Sequence, residues 1–137
     1  MIFLDTSAIY ALADRADENH RPATDLLRTI LLSGDQLLTH NYVLVESMAL
    51  LQHRLGLKSA LQLADDAKGF ELVWIGRTTH DEAVASLRAA NRRQVSLVDA
   101  MSFMIMREHG IEVAFAFDPH FVEQGFRPPT ASPPGNS

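Results

Sequence analysis

In Ile2-Phe3-Leu4-Asp5-Thr6-Ser7, three apolar residues run straight into a carboxylate and two hydroxyls before a helical apolar pattern begins. A short apolar run bounded in this way reads as a buried strand. In an open parallel sheet, ligands bind in the crevice outside the carboxyl ends of the strands. Asp5 is therefore expected at the working edge of an α/β sheet.

Outward from that stretch, strands alternate with helical blocks. Ser7–Leu12 reads as a short helix with Asp5, Thr6 or Ser7 able to cap it, and Asp14–His20 as a surface loop. Ala23, Leu26, Leu27, Ile30 and Leu31 recur at helical spacing after Pro22. Gln36–Thr39 is a short strand, followed by helices over about 42–55 and 58–68, which Gly56 and Gly69 end. Phe70–Ile75 reads as a third strand, His80–Asn91 as a helix and Ser96–Met106 as a strongly apolar helix. Ile111–Phe117, β-branched and aromatic, reads as a central strand that stops at Asp118. This alternation predicts an α/β domain with a mostly parallel sheet over residues 1–126. Residues 127–137, with four prolines, are expected to be a disordered tail.

At 137 residues and 47% hydrophobic content, one compact domain with its own core is expected. The absence of cysteine excludes disulfides, a Cys-ligated zinc site and a thiol nucleophile, and fits a reducing cytoplasm. The N-terminal apolar run is too short for a secretory signal, and none approaches the roughly 20 residues of a membrane span. A formal charge of −5 opposes a general electrostatic grip on nucleic acid. That objection weakens if four of those charges are metal ligands.

Four acids lie in structurally awkward places. Asp5 and Asp118 sit where apolar strands run out, although each could simply cap the helix that follows. Glu46 has Tyr42, Val43, Ala49 and Leu50 as helical neighbours, so it lies on an apolar stripe and either snorkels out at the edge of the core or meets a cation. Asp99 stands three residues after Ser96, the spacing of a capping box, yet it opens a helix apolar on nearly every side. Two like charges about 4 Å apart repel by roughly 4 kcal/mol at an effective dielectric of about 20, more than one cap contributes. Convergence of the four therefore requires a counter-cation. An all-oxygen set without cysteine selects a hard ion, Mg²⁺ or Mn²⁺. His20, His40, His53, His80, His109 and His120 show no zinc-protease spacing and read mostly as surface or capping residues.

Leu4-Asp5-Thr6-Ser7, the helical Glu46, Ser96-Leu97-Val98-Asp99-Ala100 and Phe117-Asp118-Pro119-His120-Phe121 together resemble the PIN-domain family, and most of all the VapC-type toxins of bacterial and archaeal toxin–antitoxin pairs. The loop with Asp17 and His20 also resembles the family's loop before its second helix. The resemblance implies a three-layer α/β/α fold with four to five strands and an Mg²⁺- or Mn²⁺-dependent endoribonuclease. Asp5, Glu46, Asp99 and Asp118 would form its metal-binding catalytic pocket, Asp5 and Asp99 directly and Glu46 and Asp118 directly or through water. Thr6 or Ser7 would orient Asp5 or contact phosphate, and Arg15, Arg92 and Arg93 are candidates for contacting the RNA backbone. The expected chemistry is hydrolysis of a phosphodiester bond, leaving a 5′-phosphate and a 3′-hydroxyl. Expected partners are RNA, a small antitoxin lying in a groove between the helices that begin near Pro22 and Tyr42, and a second copy of the chain in a homodimer. One departure from the family is Ala116, where members often carry Thr or Ser two residues before the last acid.

Two other readings compete. A PIN-like binding module acting through protein contacts would have no need of four mutually repelling acids. A magnesium phosphatase starting from the same strand-end acid would carry a D-x-D pattern, and here Thr6 and Ser7 follow Asp5.

Overall fold

The computed structural model describes residues 1–130. Its centre is a four-stranded sheet of β1 (Ile2–Leu4), β2 (Leu37–His40), β3 (Glu71–Val73) and β4 (Ala114–Phe115), in the spatial order β3-β2-β1-β4. Every pairing is parallel, with Phe3 opposite Leu38 on one side and Ala114 on the other. All four carboxyl ends therefore face one edge of the molecule. Around the sheet lie α1 (Thr6–Ala13), α2 (His20–Leu32), α3 (Asn41–Leu55), α4 (Leu57–Asp66), α5 (Arg77–Ala90), α6 (Leu97–Glu108) and the single turn α7 (His120–Glu123). Helix α1 packs on α2 and α3, α3 on α4, and α5 on α6. This is the expected α/β/α architecture. No helix among the described residues is long and apolar enough to cross a membrane.

β1 and β2 are buried along their whole length because both have strands on either side and helices above and below. Phe3, Leu4, Leu38, Val43, Leu51, Met101, Ile105, Met106 and Phe115 form the fully covered centre. The helix stops follow the glycines: Gly56 at φ 107° closes α3, and Gly110 at φ 65° turns the chain after α6.

The reading of the last strand is corrected. The run Ile111–Phe117 is strand only over Ala114–Phe115, and that strand lies at an edge of the sheet instead of its centre. Its burial comes from elsewhere. Phe103, Phe121 and Phe126 stack against one another, and Phe121 lies on Phe3, roofing this side of the sheet. The outer edge is met by Arg127, which donates its N–H to Glu112 O at 2.8 Å and accepts from Ala114 N at 2.9 Å. Arg127 thus belongs to the folded unit, while residues 131–137 of the expected tail lie outside those described.

His40 is a capping histidine, as expected of some of the six, and it does this from inside the core. It is fully buried, and its hydrogen bonds determine its tautomer. Val43 N–H donates to Nδ1 at 3.3 Å and caps α3, so the proton sits on Nε2 and is donated to Ser102 Oγ at 2.9 Å. Ser102 in turn donates to Val98 O at 2.8 Å. Burial holds the imidazole neutral, lowering its pKa to about 4.

Candidate active site

Asp5, Asp99 and Asp118 come to the same edge, Asp5 and Asp99 while capping α1 and α6 and Asp118 while closing a turn onto His120 N. Asp5 follows β1, is 4% exposed, and uses Oδ2 to accept from Ser7 N at 3.1 Å and Ser7 Oγ at 2.6 Å. Asp99 is 9% exposed in the first turn of α6 and forms a reciprocal capping box with Ser96, accepting from Ser96 N through Oδ2. Asp118, three residues beyond β4, accepts from His120 N through Oδ1 at 2.9 Å. One oxygen of each is committed to a cap or a turn. Among the described residues no hydrogen bond reaches the other.

The charges feel one another. Burial raises the Asp5 carboxyl to about pH 6 against the Ser7 hydrogen bonds that favour ionisation, and the charges of Asp99 and Asp118 push it further. Asp99 is raised by burial and by Asp118. Ligand atoms of Asp99, Asp118 and His120 lie within 4.8 Å of one another. His120 was read as a surface or capping residue. Its ring is now found between Asp118, with Nε2 3.9 Å from Oδ1, and Glu123, with Nδ1 3.2 Å from Oε2. Its pKa is raised, first by the Glu123 hydrogen bond and then by the charge of Asp118.

Ser7 has a second role. Besides donating to Asp5, its Oγ accepts from Phe117 N at 2.9 Å, tying the end of β1 to the segment that carries Asp118. Ala116 cannot supply a hydroxyl there, and Ser7 holds the same stretch from the first turn of α1. Thr6 is buried, and its Oγ1 accepts from Ser47 Oγ at 3.1 Å, which fastens α1 to α3.

Glu46, the fourth predicted acid, is carried on α3. It is exposed, because α3 buries the stripe Val43, Ser47 and Leu51, and Glu46 stands a third of a turn away from it. Arg92 pairs with Glu123 at 3.3 Å, and Arg15 and Arg93 are exposed.

Three carboxylates that each keep an uncommitted oxygen, with Asp5 and Asp99 raised in pKa by burial and by neighbouring charge, are a fit for a divalent cation.

A sequence model of the PIN domain matches residues 2–126. The chain belongs to the PIN-domain family. This PIN domain is 35% identical over 132 residues to 23S rRNA-specific endonuclease VapC20 of Mycobacterium tuberculosis, covering 92% of this chain and 95% of that protein. The same figures hold for that protein in strains CDC 1551 and H37Rv. It is also similar to the crystal structure of M. tuberculosis VapC20, described as a Sarcin-Ricin loop cleaving toxin, with a TM-score of 0.82 and 32% identity over 92% of this chain and 96% of that one. PIN domains are metal-dependent nucleases, so the fold and the acids at its strand ends belong to a hydrolase.

Proposed function

We propose that residues 1–126 form a metal-dependent endoribonuclease that hydrolyses a phosphodiester bond in structured RNA, and that the protein is the toxin of a cytoplasmic toxin–antitoxin pair. The observation that carries this reading is the meeting of Asp5, Asp99 and Asp118 at the carboxyl edge of the sheet in a PIN domain. The likeness to VapC20 makes the sarcin-ricin loop of 23S rRNA the first substrate to test.

Asp5, Asp99 and Asp118 would hold the ion. Glu46 would join them through water from α3, whose adjacent Ser47 reaches Thr6 beside Asp5. Bound there, Mg²⁺ or Mn²⁺ would activate water and neutralise charge on the phosphoryl oxygens. The chain's own contribution is placement. Ser7 fixes the Asp5 carboxylate through Oδ2 and leaves Oδ1 without a side-chain partner among the described residues, and the N-terminal dipole of α6 steadies Asp99 as an anion. Arg15 and Arg93, both exposed, would contact RNA phosphates.

For the antitoxin the favoured seat is an apolar cavity of about 550 Å³ framed by Ile9 and Leu12 of α1, Leu27 and Leu31 of α2, and Leu51 and Leu63 of α3 and α4. Leu31 is 61% exposed at its rim, as a side chain waiting for an apolar partner segment would be. A homodimer completes the assembly.

The test is cleavage of a 23S rRNA fragment containing that loop by purified protein in Mn²⁺. The expected result is one cut leaving a 5′-phosphate, abolished by chelation and by Asp5→Asn. Intact RNA with the wild-type protein in Mn²⁺, or equal cutting by Asp5→Asn, contradicts the reading.

A further inference from the structure

We propose that His120 is a direct ligand of the catalytic cation through Nε2, oriented for that role by Glu123, which is in turn held by Arg92. This rests on the metal-dependent reading above and adds a nitrogen donor to a pocket otherwise made of carboxylates.

The argument is one of hydrogen-bond direction. A carboxylate can only accept, so the 3.2 Å contact between His120 Nδ1 and Glu123 Oε2 places the ring proton on Nδ1. With Nδ1 carrying that proton, Nε2 is the nitrogen that faces Asp118 and Asp99, open either to a second proton or to a metal ion. Nε2 lies 3.9 Å from Asp118 Oδ1, too far for a direct hydrogen bond and wide enough for a cation to sit between the ring and the two carboxylates in place of a proton. They gain from an ion shared between them. A metal-ligating histidine almost always donates its other ring N–H to a carboxylate, a backbone carbonyl or water, and here a carboxylate is present and is itself held by Arg92 Nη2 at 3.3 Å.

The local fold places these groups. Pro119 starts the single turn of α7, and His120 and Glu123, three residues apart, fall on one side of it. Phe121, buried against Phe3 and Phe103, locks that turn to the sheet so that the ring cannot swing away as a surface histidine would. Its side chain is only 17% exposed.

An imidazole donor favours transition ions over Mg²⁺, so the site should discriminate for Mn²⁺. The probe is Mn²⁺ itself, bound to the full chain and read by pulsed electron paramagnetic resonance for ¹⁴N coupling and by calorimetry for affinity. Wild type and Glu123→Gln are expected to show an imidazole coupling that His120→Gln lacks. Affinity should fall about 10–100-fold in Glu123→Gln and at least as far in His120→Gln, which should also lose part of the preference for Mn²⁺ over Mg²⁺. Mn²⁺ bound by the wild type without nitrogen coupling, coupling that survives in His120→Gln, or unchanged affinity in either variant overturns the ligand assignment alone. No Mn²⁺ bound by the wild type overturns the metal-dependent reading and this inference with it.

Discussion

Ser7 Oγ donates to Asp5 Oδ2 at 2.6 Å and at the same time accepts from the backbone of Phe117, so one hydroxyl aims the acid of β1 and fixes the approach to the acid that follows β4. The two strand ends are thereby one mechanical unit. Ser7→Ala should remove the shortest hydrogen bond to Asp5 and release Phe117 N. The expected cost is about 1–3 kcal/mol of stability and a loss of about 10–100-fold in metal affinity. Ser7→Thr, which keeps the hydroxyl, should restore most of both. Calorimetric Mn²⁺ titration together with urea unfolding checks the pair.

Asp5→Asn should separate activity from stability. Cleavage is expected to disappear while the metal-free protein becomes firmer. The folded-state pKa of about 6 against the ordinary 3.8 corresponds to a penalty of about 3 kcal/mol for holding Asp5 ionised. The sign follows from proton binding: between those values the folded form holds the proton and the unfolded form does not, so the penalty is full above pH 6 and relieved as pH falls toward 3.8. Metal-free Asp5→Asn should therefore exceed wild type by up to about 3 kcal/mol at pH 7.5, the difference vanishing near pH 4. Urea midpoints across that range measure it.

His40 works in the opposite direction. Its pKa is depressed from 6.5 to about 4, so the unfolded chain takes up a proton first and stability is lost as pH falls from 6.5 to 4, again by about 3 kcal/mol. In metal-free wild type this loss is offset by the gain at Asp5. Asp5→Asn removes the offset, so its own stability should fall steeply below pH 6.5. An acid-unfolding profile as flat as that of the wild type would contradict this.

Adding Mn²⁺ at 100 times its dissociation constant should raise wild-type stability by about 2.7 kcal/mol at pH 7.5. The effect should shrink below pH 6, where Asp5 takes up its proton. Asp5→Asn should respond far less. Thermal melts with and without the ion, at pH 7.5 and 5, report all three.

The strand-end acids were legible because a parallel sheet gathers the carboxyl ends of its strands at one edge, and an apolar run that stops at Asp marks such an end. The capping roles of Asp5 and Asp99 were also legible, whereas α7 starts at His120 with Pro119, not Asp118, as its cap. The structure shows that capping and clustering are compatible, since a carboxylate has two oxygens and a cap or a turn needs one. Glu46 shows where pattern reading falters. Helix α3 carries apolar residues on several sides, Val45 and Glu46 are both exposed, and only packing selects Val43, Ser47 and Leu51 as the buried stripe. β4 was taken for a central strand because burial by aromatic side chains and burial by flanking strands leave the same apolar run. His120 carried one usable signal, its place two residues after a strand-end acid and three before Glu123, but its role depends on the direction a ring faces, which spacing alone does not fix.

The most direct measurement is a crystal of the protein soaked in Mn²⁺, with anomalous diffraction collected at the manganese edge. The account predicts a peak bounded by carboxylate oxygens of Asp5, Asp99 and Asp118, at the carboxyl edge of β1 and β4. A well-ordered pocket with no peak, or manganese bound only elsewhere on the molecule, would contradict it.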